Sequence, residues 1–169
     1  MEASRSGHPA SAARGIVIGM MALIGCLLFI AFFMEDVLGS EALSWSNQPW
    51  PLVFRYVVAM AIGGALAGFL TTGLFGRRGI LGWILAALGG LFAAFIAGLF
   101  GSLAGQVPDL LASGWSSTGM VSVAFGALIA PLAFVGQPMI LVGWLVLVAL
   151  THLWVRRSRS SVATGAISV

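Results

Sequence analysis

The segment ILGWILAALGGLFAAFIAGLFG, residues 80–101, carries no charged side chain along its whole length. The hydrocarbon core of a bilayer is ~30 Å thick, which a helix of about 20 apolar residues crosses. In lipid every backbone N–H and C=O must find its partner inside the segment, so a run this long and this apolar is helical. Three further stretches, 16–34, 52–75 and 139–155, have the same character, and Arg55 and His152 are the only basic side chains in the four. The chain is therefore expected to be an all-α integral membrane protein.

Composition agrees with this. Hydrophobic residues make up 60% of the 169 and charged residues 8%, against roughly 45–50% and ~25% in soluble domains. A single transmembrane domain over 15–155 uses nearly all of the chain. The tails at 1–14 and 156–169 are rich in Ser, Ala, Gly and Arg, and are expected to be disordered and cytoplasmic for want of apolar surface to bury. The formal charge is +3 and every basic residue is Arg, but these residues sit at the ends of the apolar runs. Nucleic-acid binding needs a basic face or stripe, so that class is excluded, and the partner expected first is the lipid bilayer.

Cys26 is the only cysteine, which rules out an internal disulfide. Leu23-Ile24-Gly25-Cys26 resembles a lipoprotein processing site, yet the residues after Cys26 stay apolar where a mature lipoprotein turns polar. Arg5 and Arg14 could open a signal peptide, but the apolar run that follows is too long for an h-region and no A-x-A site ends it. A retained first helix is expected.

Orientation follows from the arginines. Arg5 and Arg14 precede the first run, Arg77 and Arg78 separate the second and third, and Arg156, Arg157 and Arg159 follow the last. With four crossings all of these face one side, the cytoplasmic side by the positive-inside rule. The 35–51 loop with Glu35, Asp36 and Glu41, and the 102–118 loop with Asp109, then face outward. Residues 119–135, GMVSVAFGALIAPLAFV, complicate the count, because only Gly136-Gln137-Pro138 divides them from the last run. A continuous helix over 119–155 would be ~55 Å long at 1.5 Å per residue. The segment is thus either a fifth crossing or a partly inserted element kinked at Pro131. A fifth crossing would split the arginines evenly, so four transmembrane helices plus a partial element are favoured. The compartment expected is a bacterial inner (plasma) membrane, with both termini cytoplasmic.

Small residues recur every four positions on the central runs: Gly64, Gly68, Thr72 and Gly76, then Gly82, Ala86, Gly90, Ala94 and Gly98. Residues four apart share a helix face, and small faces let helices approach closely where lipid offers no hydrophobic drive for association. The Gly76-Arg77-Arg78-Gly79 link is short enough to force a hairpin. The two stripes are expected to pack on each other, with the alternative that one faces outward for docking. Gly15-xxx-Gly19 on the first run is a weaker case of the same pattern. Trp50, Trp154 and Tyr56 are expected near the membrane boundaries as anchors.

Ionisable groups inside a membrane are costly and mark function. Arg55 is expected to pair with Glu35 or Asp36 at the outer boundary, or to reach the headgroups. His152 is a weak candidate cofactor ligand; His8, the other histidine, lies in the polar tail, so a bis-His haem site is not expected. No Asp, Glu or Lys falls in the middle of a helix, no His/Cys cluster offers a metal site, and Ser44 and Ser46 have no histidine beside them. These patterns point away from an enzyme and imply no cofactor. The leading expectation is a small non-catalytic accessory, assembly or stabilising subunit, docking through its Gly/Ala faces as a homo-oligomer or in a larger membrane complex. A channel or transporter component built by oligomerisation is the alternative, and a cofactor-carrying subunit using His152 the second alternative.

Overall fold

The computed structural model describes residues 9–39 and 48–165, with side chains over 11–39 and 48–159. Arg5, His8, Glu41, Ser44 and Ser46 lie outside the described residues. Those described form an all-helical fold: α1 (Pro9–Gly39), α2 (Trp50–Thr71), α3 (Gly79–Ser113), α4 (Ser117–Gly136) and α5 (Pro138–Gly165), with a short 3-10 turn at Thr72–Leu74. All five helices are long and apolar enough to cross a membrane.

Local chemistry sets the breaks. Gly76 and Gly79 have φ of +77° and +80°, a left-handed conformation that glycine adopts without penalty, so the chain reverses tightly around Arg77 and Arg78. Gly114, at φ +77°, stops α3, and its N–H donates to the Leu110 carbonyl. Ser116 then caps α4, its Oγ accepting the Gly119 N–H at 3.0 Å, as an N-cap hydroxyl does for an orphan donor. Gln137 alone separates α4 from α5. Pro138 lacks a backbone donor and fits the first position of a helix, and the Gln137 carbonyl accepts from Ile140 and Leu141.

Three expectations are corrected here. The 102–118 loop is helix as far as Ser113, and Pro108 lies inside α3. Proline forfeits one backbone bond there, while Gly101 and Gly105 stay packed on Met60 and Tyr56 and hold the helix in place. The tails are not wholly irregular, since α1 begins at Pro9 and α5 runs on to Gly165; once nucleated, a helix extends cheaply through Ala, Ser and Arg. Finally, the stripes do not face each other. Gly64 and Gly68 lie against Met21 and Val17 of α1, while Gly90 meets Trp144 and Val148 of α5 and Gly98 meets the Gly126 backbone of α4. The α2–α3 contact instead uses Gly63 and Ala97, and Gly89 meets Leu74 and Phe75 just beyond α2, each one residue out of step with its stripe.

These contacts order the bundle. α3 is central, with α2, α4 and α5 around it, and α1 packs on α2 and α5. Val17, Met21 and Gly25 meet Gly68, Gly64 and Met60 in turn, so α1 and α2 are antiparallel. At one end of the bundle the Arg14 guanidinium lies 4.0 Å from the Phe69 ring, Arg159 donates to the Thr72 carbonyl at 3.3 Å and Val155 presses on Gly76. The other end is marked by Phe33 against Trp50, ring centroids 6.2 Å apart. Both termini of α4 belong to this second end. Its start is tied to Gln106 through Ser122, at 3.3 Å, and its finish leads directly into Gln137, which donates to Glu35. α4 starts antiparallel to α3, with Gln106, Ser102 and Gly98 meeting Gly119, Ser122 and Gly126 in turn, and its last residues lead to the Glu35 contact through Gln137.

Candidate functional site

The small-residue positions are structural. Ala86 and Ala94 are fully buried, Gly82 sits under the Arg77 carbonyl at the start of α3, and Thr72 Oγ1 donates back to the Gly68 carbonyl at 2.8 Å. A Cβ on Gly25, Gly64 or Gly98 would overlap a backbone carbonyl of the neighbouring helix. By contrast Gly15, Gly19 and Gly143 have nothing within 4 Å of where a Cβ would stand, so these backbone surfaces are open.

His152 is fully buried, at 0% exposure. α5 brings it under the α2–α3 turn, where Nδ1 accepts the Gly76 N–H at 3.3 Å. Accepting at Nδ1 puts the neutral ring's proton on Nε2, and Nε2 is buried without a partner. The Trp83 ring covers the imidazole with centroids 4.7 Å apart. Thr151 beside it is equally buried and donates to the Leu147 carbonyl at 2.7 Å. The arrangement ties α5 to the hairpin, and His152 lines neither of the grooves described next.

Arg55, Glu35 and Asp36 are not brought together as an ion pair. Arg55 Nε is buried without a hydrogen-bond partner, and its guanidinium stands 6.0 Å from the Tyr56 ring centroid. Glu35 turns instead toward the α4–α5 junction and accepts from Gln137 Nε2. Gln137 Oε1 is buried and receives no donor.

This contact stands at one end of a groove between α1 and α5. An apolar cavity of about 260 Å³ is walled by Ile24, Leu28, Ala31, Ile140, Trp144 and Leu147, with Gly143 as a gap in its side. A second cavity of about 360 Å³ adjoins it, shares Ala31, Met139 and Ile140, and ends on Glu35, Gly136 and Gln137. Trp144 forms one wall because its indole N–H donates to the Gly90 carbonyl at 3.3 Å and its ring stacks on Phe134 at 4.8 Å. The groove is thus apolar along its length and acidic at its mouth.

A smaller polar seam joins α3 to α4. Ser102 Oγ donates to the Ser122 carbonyl at 3.0 Å and Gln106 Nε2 to Ser122 Oγ at 3.3 Å. Sequence reasoning passed over Ser102, Gln106 and Ser122; the signal was Ser102 and Gln106 four apart on one face of a helix otherwise apolar. It took Gln137 for a turn residue only, although an amide between two apolar runs is a polar group that needs a partner.

By length and composition the chain fits a multi-pass membrane protein, with five helices able to span. Comparison with protein-family models, with curated proteins and with solved structures found no match.

Proposed function

We propose that the chain is a small non-catalytic subunit of the bacterial inner (plasma) membrane, an accessory, assembly or stabilising component with both termini in the cytoplasm. In this reading α1, α2, α3 and α5 cross the bilayer, and α4 is the partly inserted element. The observation that carries it is the sorting of the bundle's two ends. Arg14, Arg77, Arg78 and Arg159 share the end where α5 meets the hairpin, and both termini of α4 gather at the other with Glu35. That division suits the positive-inside rule.

The glycines of the central stripes are taken up inside the chain, so docking falls to the backbone that stays open, at Gly15 and Gly19 of α1. The test is purification of the tagged protein from its own membranes in a gentle detergent, with native mass and co-purifying proteins read by mass spectrometry. A stoichiometric larger partner, lost on Gly19→Leu without loss of thermal stability, supports the subunit reading. Recovery as a bare monomer would overturn it.

A homo-oligomer alone would favour the second reading, a channel or transporter component. Its specific support is α4, an apolar helix with an internal Pro131, since broken or partly inserted segments commonly line transport sites. The cofactor reading has less behind it, because Gly76 occupies His152 Nδ1 and Trp83 covers the ring.

A further inference from the structure

The α1–α5 groove has a length, a lining and a mouth that fit a particular kind of occupant. From Glu35 at the mouth to Ile24 at the far end, α1 advances eleven residues, roughly 16 Å at 1.5 Å per residue. That is about half the ~30 Å hydrocarbon thickness, the depth of one leaflet. The deeper cavity is walled by apolar side chains, so it would hold a hydrocarbon chain and not water. The mouth is different in kind: among the described residues Glu35 supplies a carboxylate there, accepting from Gln137 Nε2. Among the described lining residues the charge is that one carboxylate, which a cationic group with N–H donors complements.

We infer that the groove binds a single membrane lipid carrying a primary ammonium headgroup, of the ethanolamine type. One acyl chain lies between α1 and α5, and the ammonium donates to the Glu35 carboxylate. The hydrocarbon chain fills the gap left by Gly143, whose missing side chain opens the groove wall. A choline headgroup has the same charge but no N–H to donate, and an anionic headgroup meets Glu35 with like charge. The inference goes beyond the subunit reading and stands without any protein partner.

The experiment is native mass spectrometry of the full chain, delipidated in detergent and titrated with phosphatidylethanolamine, phosphatidylcholine or phosphatidylglycerol of identical acyl chains. One charge-assisted hydrogen bond's worth of discrimination predicts about tenfold tighter binding of the ethanolamine lipid over the other two. Glu35→Gln should remove that preference while leaving residual binding. Gly143→Leu should abolish binding of all three, and because nothing lies within 4 Å of its Cβ its thermal unfolding should match the wild type. Equal binding of the three lipids to the wild type would overturn the headgroup assignment. Retention of the ethanolamine preference in Glu35→Gln would do the same. Unchanged binding to Gly143→Leu would show that the groove is not the site, and a preference for phosphatidylglycerol would assign lipid binding to the arginine end of the bundle.

Discussion

His152 Nδ1 accepts the Gly76 N–H at 3.3 Å, joining the last helix to the turn between the second and third. The bond is long for an N–H donor, but its acceptor ring is fully buried, and the turn it serves depends on Gly76 holding φ at +77°. Val155 packs against the same glycine. Together these contacts secure α5, whose remaining neighbours are α1, α3 and, through Phe134 on Trp144, α4.

Removing this acceptor should loosen α5. His152→Leu keeps comparable bulk but leaves the Gly76 N–H unpaired, at a cost of about 1–3 kcal/mol. His152→Ala adds a cavity and should cost about 1–2 kcal/mol more. Thermal unfolding of the purified protein in detergent reads both, and a His152→Leu midpoint equal to wild type would show the bond to be dispensable.

Glycines that the fold uses and glycines that it leaves open should respond oppositely. Gly64→Ala drives a Cβ onto the Met21 carbonyl, backbone that cannot step aside, and should cost about 1–3 kcal/mol as overpacking does. Gly19→Ala meets nothing within 4 Å and should be neutral or stabilising by a few tenths of a kcal/mol through helix propensity. Gly90→Leu, aimed at Val148 and Trp144, should displace α5 more than any of these. The readout is the ordering of unfolding midpoints across the three variants.

That α2 and α3 would be tightly packed helices was legible from residues 52–75 and 80–101, and the glycine turn between them from Gly76 and Gly79. Which face meets which helix was not. Small residues occur in adjacent pairs, Gly63-Gly64 and Gly89-Gly90, so each helix offers two smooth faces about 100° apart. A one-dimensional pattern cannot assign partners to them. The end of α3 was hidden for a different reason: Gly105, Pro108 and Gly114 read as loop punctuation, but contacts to Met60 and Tyr56 override propensity as far as Gly114. In the candidate site the apolar walls were visible as apolar residues only. Their assembly into a groove depends on Gly143 facing Ala31 across two helices distant in sequence, and the Glu35–Gln137 contact on where the α4–α5 junction lands.

The polar seam between α3 and α4 should contribute modestly. Ser122→Ala removes the hydroxyl that Gln106 Nε2 reaches at 3.3 Å. Hydrogen bonds between membrane helices average about 0.6 kcal/mol, so the variant should lower global stability by about that amount. Hydrogen exchange should show the larger effect at the amide groups of α4, and a rise in exchange spread evenly over the bundle would contradict an interface role.

The proposed topology turns on α4: four helices cross, and α4 inserts only part way. In a Cys26→Ala background, single cysteines introduced as Ser117→Cys and Gly136→Cys mark its two ends, Ser117 being helix-terminal and Gly136 having open space around it. A membrane-impermeant maleimide applied to intact spheroplasts should label both positions equally, with no gain on permeabilisation. Labelling of one end only until the membrane is opened would make α4 a full crossing, put the two chain termini on opposite sides and contradict the account.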